Sequence, residues 1–157
     1  MHEPVKGDKN LVIDFHSHIL PGIDDGSKSV EESIQMLTAS REQGVDCVVL
    51  TPHFYADRWN PEDFFESRNS AFEVLSNASV GLGIKLVVGA EVEYFEGITA
   101  MEELREMRIS GSSAVMIEMP FRPWSRRVIR DITEIAGRRN YSVILAHIER
   151  YIDYQDD

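Results

Sequence analysis

Five short apolar runs punctuate the chain: Leu11 to Phe15, Cys47 to Leu50, Lys85 to Val88, Ala114 to Met119 and Ser142 to Ala146. They are rich in Val and Ile and apolar almost throughout, which suits parallel strands covered on both faces. Amphipathic segments lie between them. Ser29-Val30-Glu31-Glu32 reads as a capping box, Val30, Ile34 and Leu37 recur on one helical face, and Gly44 ends the helix. Asn60-Pro61 starts a second helix with a cap residue and proline at its first position, and Phe64, Phe65, Ala71, Phe72 and Leu75 form its apolar stripe. Thr99 with Glu102 suggests a shorter third helix. Ser125 caps a fourth, with Val128, Ile129, Ile132, Ile135 and Ala136 as its stripe and Arg138 and Arg139 at its close. The order β-α-β-α-β-α-β-α-β predicts an α/β fold with a parallel sheet and right-handed crossovers, open or rolled into a barrel.

Composition supports one domain with a real core: 157 residues, 43% hydrophobic and 27% charged. A formal charge of -11 argues against nucleic acid and anionic lipid as partners, since both repel an acidic surface. The single cysteine, Cys47, cannot form an internal disulfide and reads as a buried, inert thiol. Residues 1–10 form a polar extension without the apolar stretch of a signal peptide, ahead of a domain over 11–157. No apolar run approaches the roughly 18 residues of a membrane helix. A cytoplasmic location without membrane insertion is the expectation.

Metal-capable side chains cluster at the carboxyl ends of the predicted strands. His16 and His18 follow the first, His53 the second, Glu91 and Glu93 the third; Glu118 ends the fourth and His147 follows the fifth. Loops converge on ligands at that rim in parallel α/β folds, and use of every strand favours a barrel. Period-two alternation puts Asp14, His16 and His18 on one face, so the imidazoles can grip one ion with Asp14 orienting them from beneath. A lone His-x-His pair fits surface loop histidines equally well; the agreement of the other strand ends favours ligands. A carboxylate straight after a buried strand is costly unless paired or bound to a cation, and Arg122, Arg126, Arg127 and Arg150 offer the alternative of salt bridges. Imidazole with carboxylate and no thiolate suits Mn, Fe or Zn. Six ligands, His16, His18, His53, Glu91, Glu118 and His147, exceed what one tetrahedral ion needs, and match two or more ions about 4 Å apart that hydrolyse phosphate esters.

The run Asp14-Phe15-His16-Ser17-His18-Ile19-Leu20-Pro21-Gly22-Ile23-Asp24-Asp25-Gly26 resembles the opening motif of the polymerase and histidinol phosphatase (PHP) superfamily. Within it, the chain is similar to the metal-dependent tyrosine-protein phosphatases of bacterial capsule and exopolysaccharide assembly. Thr51-Pro52-His53, Gly89-Ala90-Glu91-Val92-Glu93, Ile117-Glu118-Met119 and Ala146-His147-Ile148-Glu149-Arg150-Tyr151 match later motifs in the same order. The resemblance implies a β/α barrel of the PHP type with two or three metal ions, commonly manganese. It implies hydrolysis of phosphotyrosine on an autophosphorylating kinase that regulates polysaccharide export. The six ligands stand where family metal ligands stand, and Arg150 where an arginine binds the substrate phosphate. Asp25, in the Asp-Asp-Gly turn, is expected to shape the site or handle protons; Arg122 and Arg126 are further docking candidates.

One departure is large. Family members run to about 250 residues, the usual size of a β/α barrel, and their later Asp-x-His motif has no counterpart here. The expectation is therefore an incomplete barrel of about five βα units with an exposed edge strand, open to self-association, and with weakened metal affinity. Two other functions compete: hydrolysis of a small ester such as histidinol phosphate, and an inactive remnant that binds metal or partner only.

Overall fold

The computed structural model describes residues 11–155; the polar extension over 1–10 lies outside them. Its strands are β1 (Ile13–Ser17), β2 (Cys47–Leu50), β3 (His53–Phe54), β4 (Lys85–Val88), β5 (Glu91–Glu93), β6 (Ala114–Glu118) and β7 (Ser142–Leu145). The α-helices are α1 (Val30–Glu42), α2 (Pro61–Ala78) and α3 (Arg126–Ala136). All strand pairs are parallel, in two sheets ordered β1-β2-β4 and β3-β5-β6-β7.

Two of the predicted runs thus extend further than expected and divide between the sheets. Thr51 still donates to Ser17 O at 2.9 Å, but Pro52 has no N–H, so the ladder with β1 stops there. The chain resumes as β3, and Pro52 O accepts from the Glu91 N–H at 3.0 Å. β4 passes into β5 through Gly89-Ala90. A Cβ on Gly89 would lie 3.3 Å from Ile109 Cγ1, so a small residue suits this approach. The buried Arg68 guanidinium of α2 donates to Gly89 O (3.3 Å) and Glu106 O (3.2 Å), satisfying carbonyls near this break. The division carries His53, Glu91 and Glu118 into one sheet.

The predicted caps form. Ser29 Oγ accepts from the Glu32 N–H, while the Glu32 carboxylate takes the Lys28 N–H rather than that of Ser29. Gly44 is left-handed (φ +92°) just beyond α1. Asn60 Oδ1 accepts from the Asp63 N–H with Pro61 opening α2, and Ser125 Oγ accepts from the Val128 N–H. The third predicted helix is instead two 3-10 helices, Ile98–Ala100 and Glu102–Met107. In α3, Val128 and Ile135 are buried, but Ile129 is 52% exposed. Asp131 is buried instead, and accepts from the Tyr94 hydroxyl at 2.8 Å.

Two clusters make the core. Leu37 of α1 and Leu75 of α2 pack with Val48 and Leu50 of the first sheet, together with Ile19 and Leu20. Phe54, Phe64, Val92, Leu104, Met107, Val115, Ile117, Val128, Ile135 and Tyr151 form the second, larger one. Cys47 is buried as expected. β1 and β7 each have one strand neighbour, so no closed barrel forms among the described residues. No described helix is long and apolar enough to cross a membrane.

Candidate metal centre

All six predicted ligands line one cavity of about 490 Å³, with Asp25, Tyr55, Phe121 and Arg150 completing its wall. Glu91 is its hub. It is fully buried at the start of β5. Its Oε2 lies 2.9 Å from His16 Nε2, 3.2 Å from His18 Nε2 and 3.2 Å from His53 Nδ1. Its Oε1 lies 2.9 Å from His147 Nε2, which is also 3.3 Å from Glu118 Oε1. Four imidazoles thus surround one carboxylate.

Each element aims its ligand for a local reason. His16 and His18 leave the end of β1, where Asp14 pairs with Val48 and Ser17 with Leu50. Three steps on β1 match two on β2, so the strand bulges and the alternation slips. The expected placing of Asp14 beneath the imidazoles is therefore corrected: its carboxylate accepts the His16 backbone N–H at 3.2 Å. Asp24 orients the imidazole in its place. Its Oδ2 lies 2.7 Å from His18 Nδ1 and accepts the His53 N–H at 3.1 Å, while Oδ1 takes the Gly26 N–H at 2.9 Å. That leaves His18 Nε2 turned toward Glu91, the usual work of a carboxylate behind a ligand. His147 follows β7 in the left-handed region (φ 31°), alone among the described non-glycine residues. Such a conformation is strained for a residue with a Cβ, and strain of this kind concentrates at functional sites.

Charge follows the geometry. Burial alone would raise the Glu91 pKa, but hydrogen bonds from His16 and His18 outweigh it and hold the carboxyl well below its usual range. Burial would depress His18, yet its bonds to Asp24 and Glu91 prevail and raise it to about 10. Glu118 is pushed up to about 7 by burial and by the negative charge of Glu91 and Glu93. Burial lowers His53. In metal-free protein the Asp24–His18 pair therefore stabilises the fold fully below pH 6.5, the ordinary imidazole value, until acid protonates Asp24, and it loses that contribution as pH rises toward about 10. Asp24→Asn is expected to bring the His18 midpoint down toward the ordinary value in a ring-proton NMR titration of the metal-free protein. An unchanged midpoint would show that Asp24 is not the cause.

The donor set fits divalent cations. Three groups bring one ligand atom from each member within 4.8 Å of the others: His16–His18–Glu91, His18–Asp25–His53 and His53–Glu91–Glu118. They overlap, as adjacent cations sharing ligands require. His53 Nδ1 is buried without a hydrogen-bond partner among the described residues, although it lies 3.2 Å from Glu91 Oε2. A cation between them would satisfy both atoms.

The other predicted residues divide. Asp25 and Arg150 line the cavity, with the Asp25 side chain 83% exposed and its Oδ1 3.7 Å from His53 Nε2. Glu93 is exposed and, like Arg122 and Arg126, lines no part of this cavity. Sequence reasoning missed Asp24, Tyr55 and Phe121. Asp24 had a signal, standing six residues after His18 in the Asp-Asp-Gly turn; Tyr55 and Phe121 belong to no motif that would have singled them out.

The chain matches the family described as "Capsular polysaccharide synthesis, CpsB/CapC" over residues 12–157. It is 32% identical over 149 residues to the tyrosine-protein phosphatase CpsB of Streptococcus pneumoniae, covering 89% of this chain and 58% of that protein. It is 28% identical over 142 residues to the tyrosine-protein phosphatase YwqE of Bacillus subtilis, covering 88% of this chain and 55% of that protein. A solved structure from work on YwqE and CpsB, there described as unique metal-dependent tyrosine phosphatases, superposes with a TM-score of 0.70 at 24% identity. That match covers 88% of this chain and 56% of the solved one, and it shows a shared fold. The chain spans about half the length of the curated relatives it matches.

Proposed function

The chain belongs to the CpsB/CapC family of capsular polysaccharide synthesis, and from that premise we propose that it carries the metal centre of a metal-dependent tyrosine-protein phosphatase. The observation that carries this reading is the convergence of four imidazoles on the buried Glu91 carboxylate beside Glu118. The substrate class is phosphotyrosine on a kinase of capsule or exopolysaccharide synthesis, met in the cytoplasm, and the two parallel sheets are part of a PHP-type β/α barrel. The edges of β1 and β7 that have no strand partner among the described residues are where pairing with a second copy would occur.

His16, His18, His53, Glu91, Glu118 and His147 would hold two or three divalent cations, manganese first, with iron or zinc as alternatives. Such ions supply a polarised water as nucleophile and neutralise charge gathering on the phosphoryl oxygens. The chain's own residues do the rest. Arg150 lines the cavity and its positive charge is felt by Glu118, so its guanidinium is the cationic group available to a phosphate there. Asp24 holds His18 in the tautomer that presents Nε2. Tyr55, its pKa pushed up to about 12 by burial and by Glu118 and Asp25, stays a neutral hydroxyl able to donate to a phosphoryl oxygen. Asp25, on the exposed side, is placed to take or return a proton from the entering water.

The test is direct. Purified protein dialysed free of metal should hydrolyse p-nitrophenyl phosphate on addition of Mn, and EDTA should abolish that rate. A phosphotyrosyl peptide should be turned over faster than histidinol phosphate. A folded, metal-loaded sample that turns over none of the three esters contradicts the reading.

A further inference from the structure

The cavity holds two aromatic side chains besides its imidazoles, Tyr55 and Phe121. They differ in what remains free. The Tyr55 ring is already engaged: it stacks on His53 (centroids 4.8 Å apart, planes 21°), and the Arg58 guanidinium sits 4.7 Å from its centroid. Phe121 stacks on His147 (5.8 Å, 17°) and remains 45% exposed. Its orientation is fixed from behind, by Tyr151 at 5.1 Å and by Tyr154 edge-on at 6.1 Å. Tyr151 is itself anchored, fully buried and accepting the Met119 N–H at 2.9 Å on its hydroxyl. A half-exposed phenyl ring held rigidly on the rim of an otherwise polar cavity is a preorganised flat surface.

Phe121 and Arg150 both border His147, the ring through stacking and the arginine through the chain turn that follows the histidine. A phosphate held among Arg150 and the metal-capable side chains would leave its organic group beside the exposed part of the Phe121 ring. A flat aromatic group gains there by stacking, about 0.5–1.5 kcal/mol beyond the area it buries, and an alkyl group of similar size does not.

We propose that Phe121 is a specificity-determining residue, the surface on which the aryl ring of a phosphate ester rests, selecting aryl over alkyl phosphates. This rests on the phosphatase reading above. Two variants test it: Phe121→Leu, which keeps packing against Tyr151 while removing the flat face, and Phe121→Trp, which restores one. Two readouts are taken on metal-loaded protein: calorimetric binding of phenylphosphonate against methylphosphonate, neither of which is hydrolysed, and kcat/KM for phosphotyrosine against phosphoserine. The aryl-over-alkyl ratio should fall about tenfold in Phe121→Leu, the scale of a lost stacking contact with its buried area, and recover in Phe121→Trp. An unchanged ratio in Phe121→Leu overturns the assignment, whether both ligands weaken together or neither does. Absence of turnover on both esters by the parent protein would count against the phosphatase reading alone, because the phosphonate ratio still judges Phe121.

Discussion

Glu91→Gln is expected to strip the protein of bound divalent metal and, with it, of phosphomonoester turnover. Both Glu91 oxygens are committed, Oε2 to His16, His18 and His53 and Oε1 to His147, all within 3.2 Å. Glutamine keeps one oxygen and turns an amide NH₂ toward nitrogens that must offer lone pairs to a cation. It also removes a carboxyl held well below its usual range, and so the charge on which the imidazoles converge. Loss of a partner that merely orients a ligand costs about 10–100-fold in metal affinity. A carboxylate reaching four ligands should cost more than 100-fold. Elemental analysis after dialysis against Mn gives the outcome, with circular dichroism confirming the fold. Full metal retention by the variant would remove Glu91 from the centre.

Gly26→Ala should destabilise the fold by about 3 kcal/mol, the upper part of the range for forcing an added methyl into packed space, and lower metal occupancy with it. A Cβ at Gly26 would stand 2.0 Å from His18 O, 2.4 Å from His18 Cβ and 2.8 Å from His18 C. Backbone cannot yield as a flexible side chain can. Two bonds also hold the turn closed on His18: Ser27 N–H to His18 O at 2.9 Å, and Gly26 N–H to Asp24 Oδ1. Either Asp24 lets go of His18 or the Asp-Asp-Gly turn opens. Gly44→Ala is the control, since no atom lies within 4 Å of its Cβ and only its left-handed φ opposes the change. Urea unfolding should separate the two variants; equal losses would mean that crowding against His18 is not what matters at Gly26.

Much of this site was legible because parallel strands place their carboxyl ends on one rim. That rule picked His16, His18, His53, Glu91, Glu118 and His147, all of which line the cavity, together with Glu93, which does not. The helix starts at Ser29, Asn60 and Ser125 were equally readable, because capping is a contact between residues three apart. Asp14 and Asp24 show where such reasoning stops. Period-two alternation assigned the orienting role to Asp14, but a bulge against β2 breaks the alternation, and a bulge depends on the neighbouring strand. Ile129 fails for a related reason. Its spacing suits a buried stripe, yet Tyr94, 37 residues before Asp131, draws Asp131 inward with a hydrogen bond instead.

The order of strands and helices, the caps, the chemistry of the donor set and the rim on which it gathers follow from residue type and short-range spacing, because local backbone preference and side-chain period act within a few residues. The division of two strands between sheets, Asp24 in place of Asp14, the left-handed His147 and the half-exposed Phe121 on the cavity wall arise only in the folded chain. Each depends on atoms that approach across tens of residues, where packing and hydrogen bonding between distant segments outweigh what any local stretch prefers.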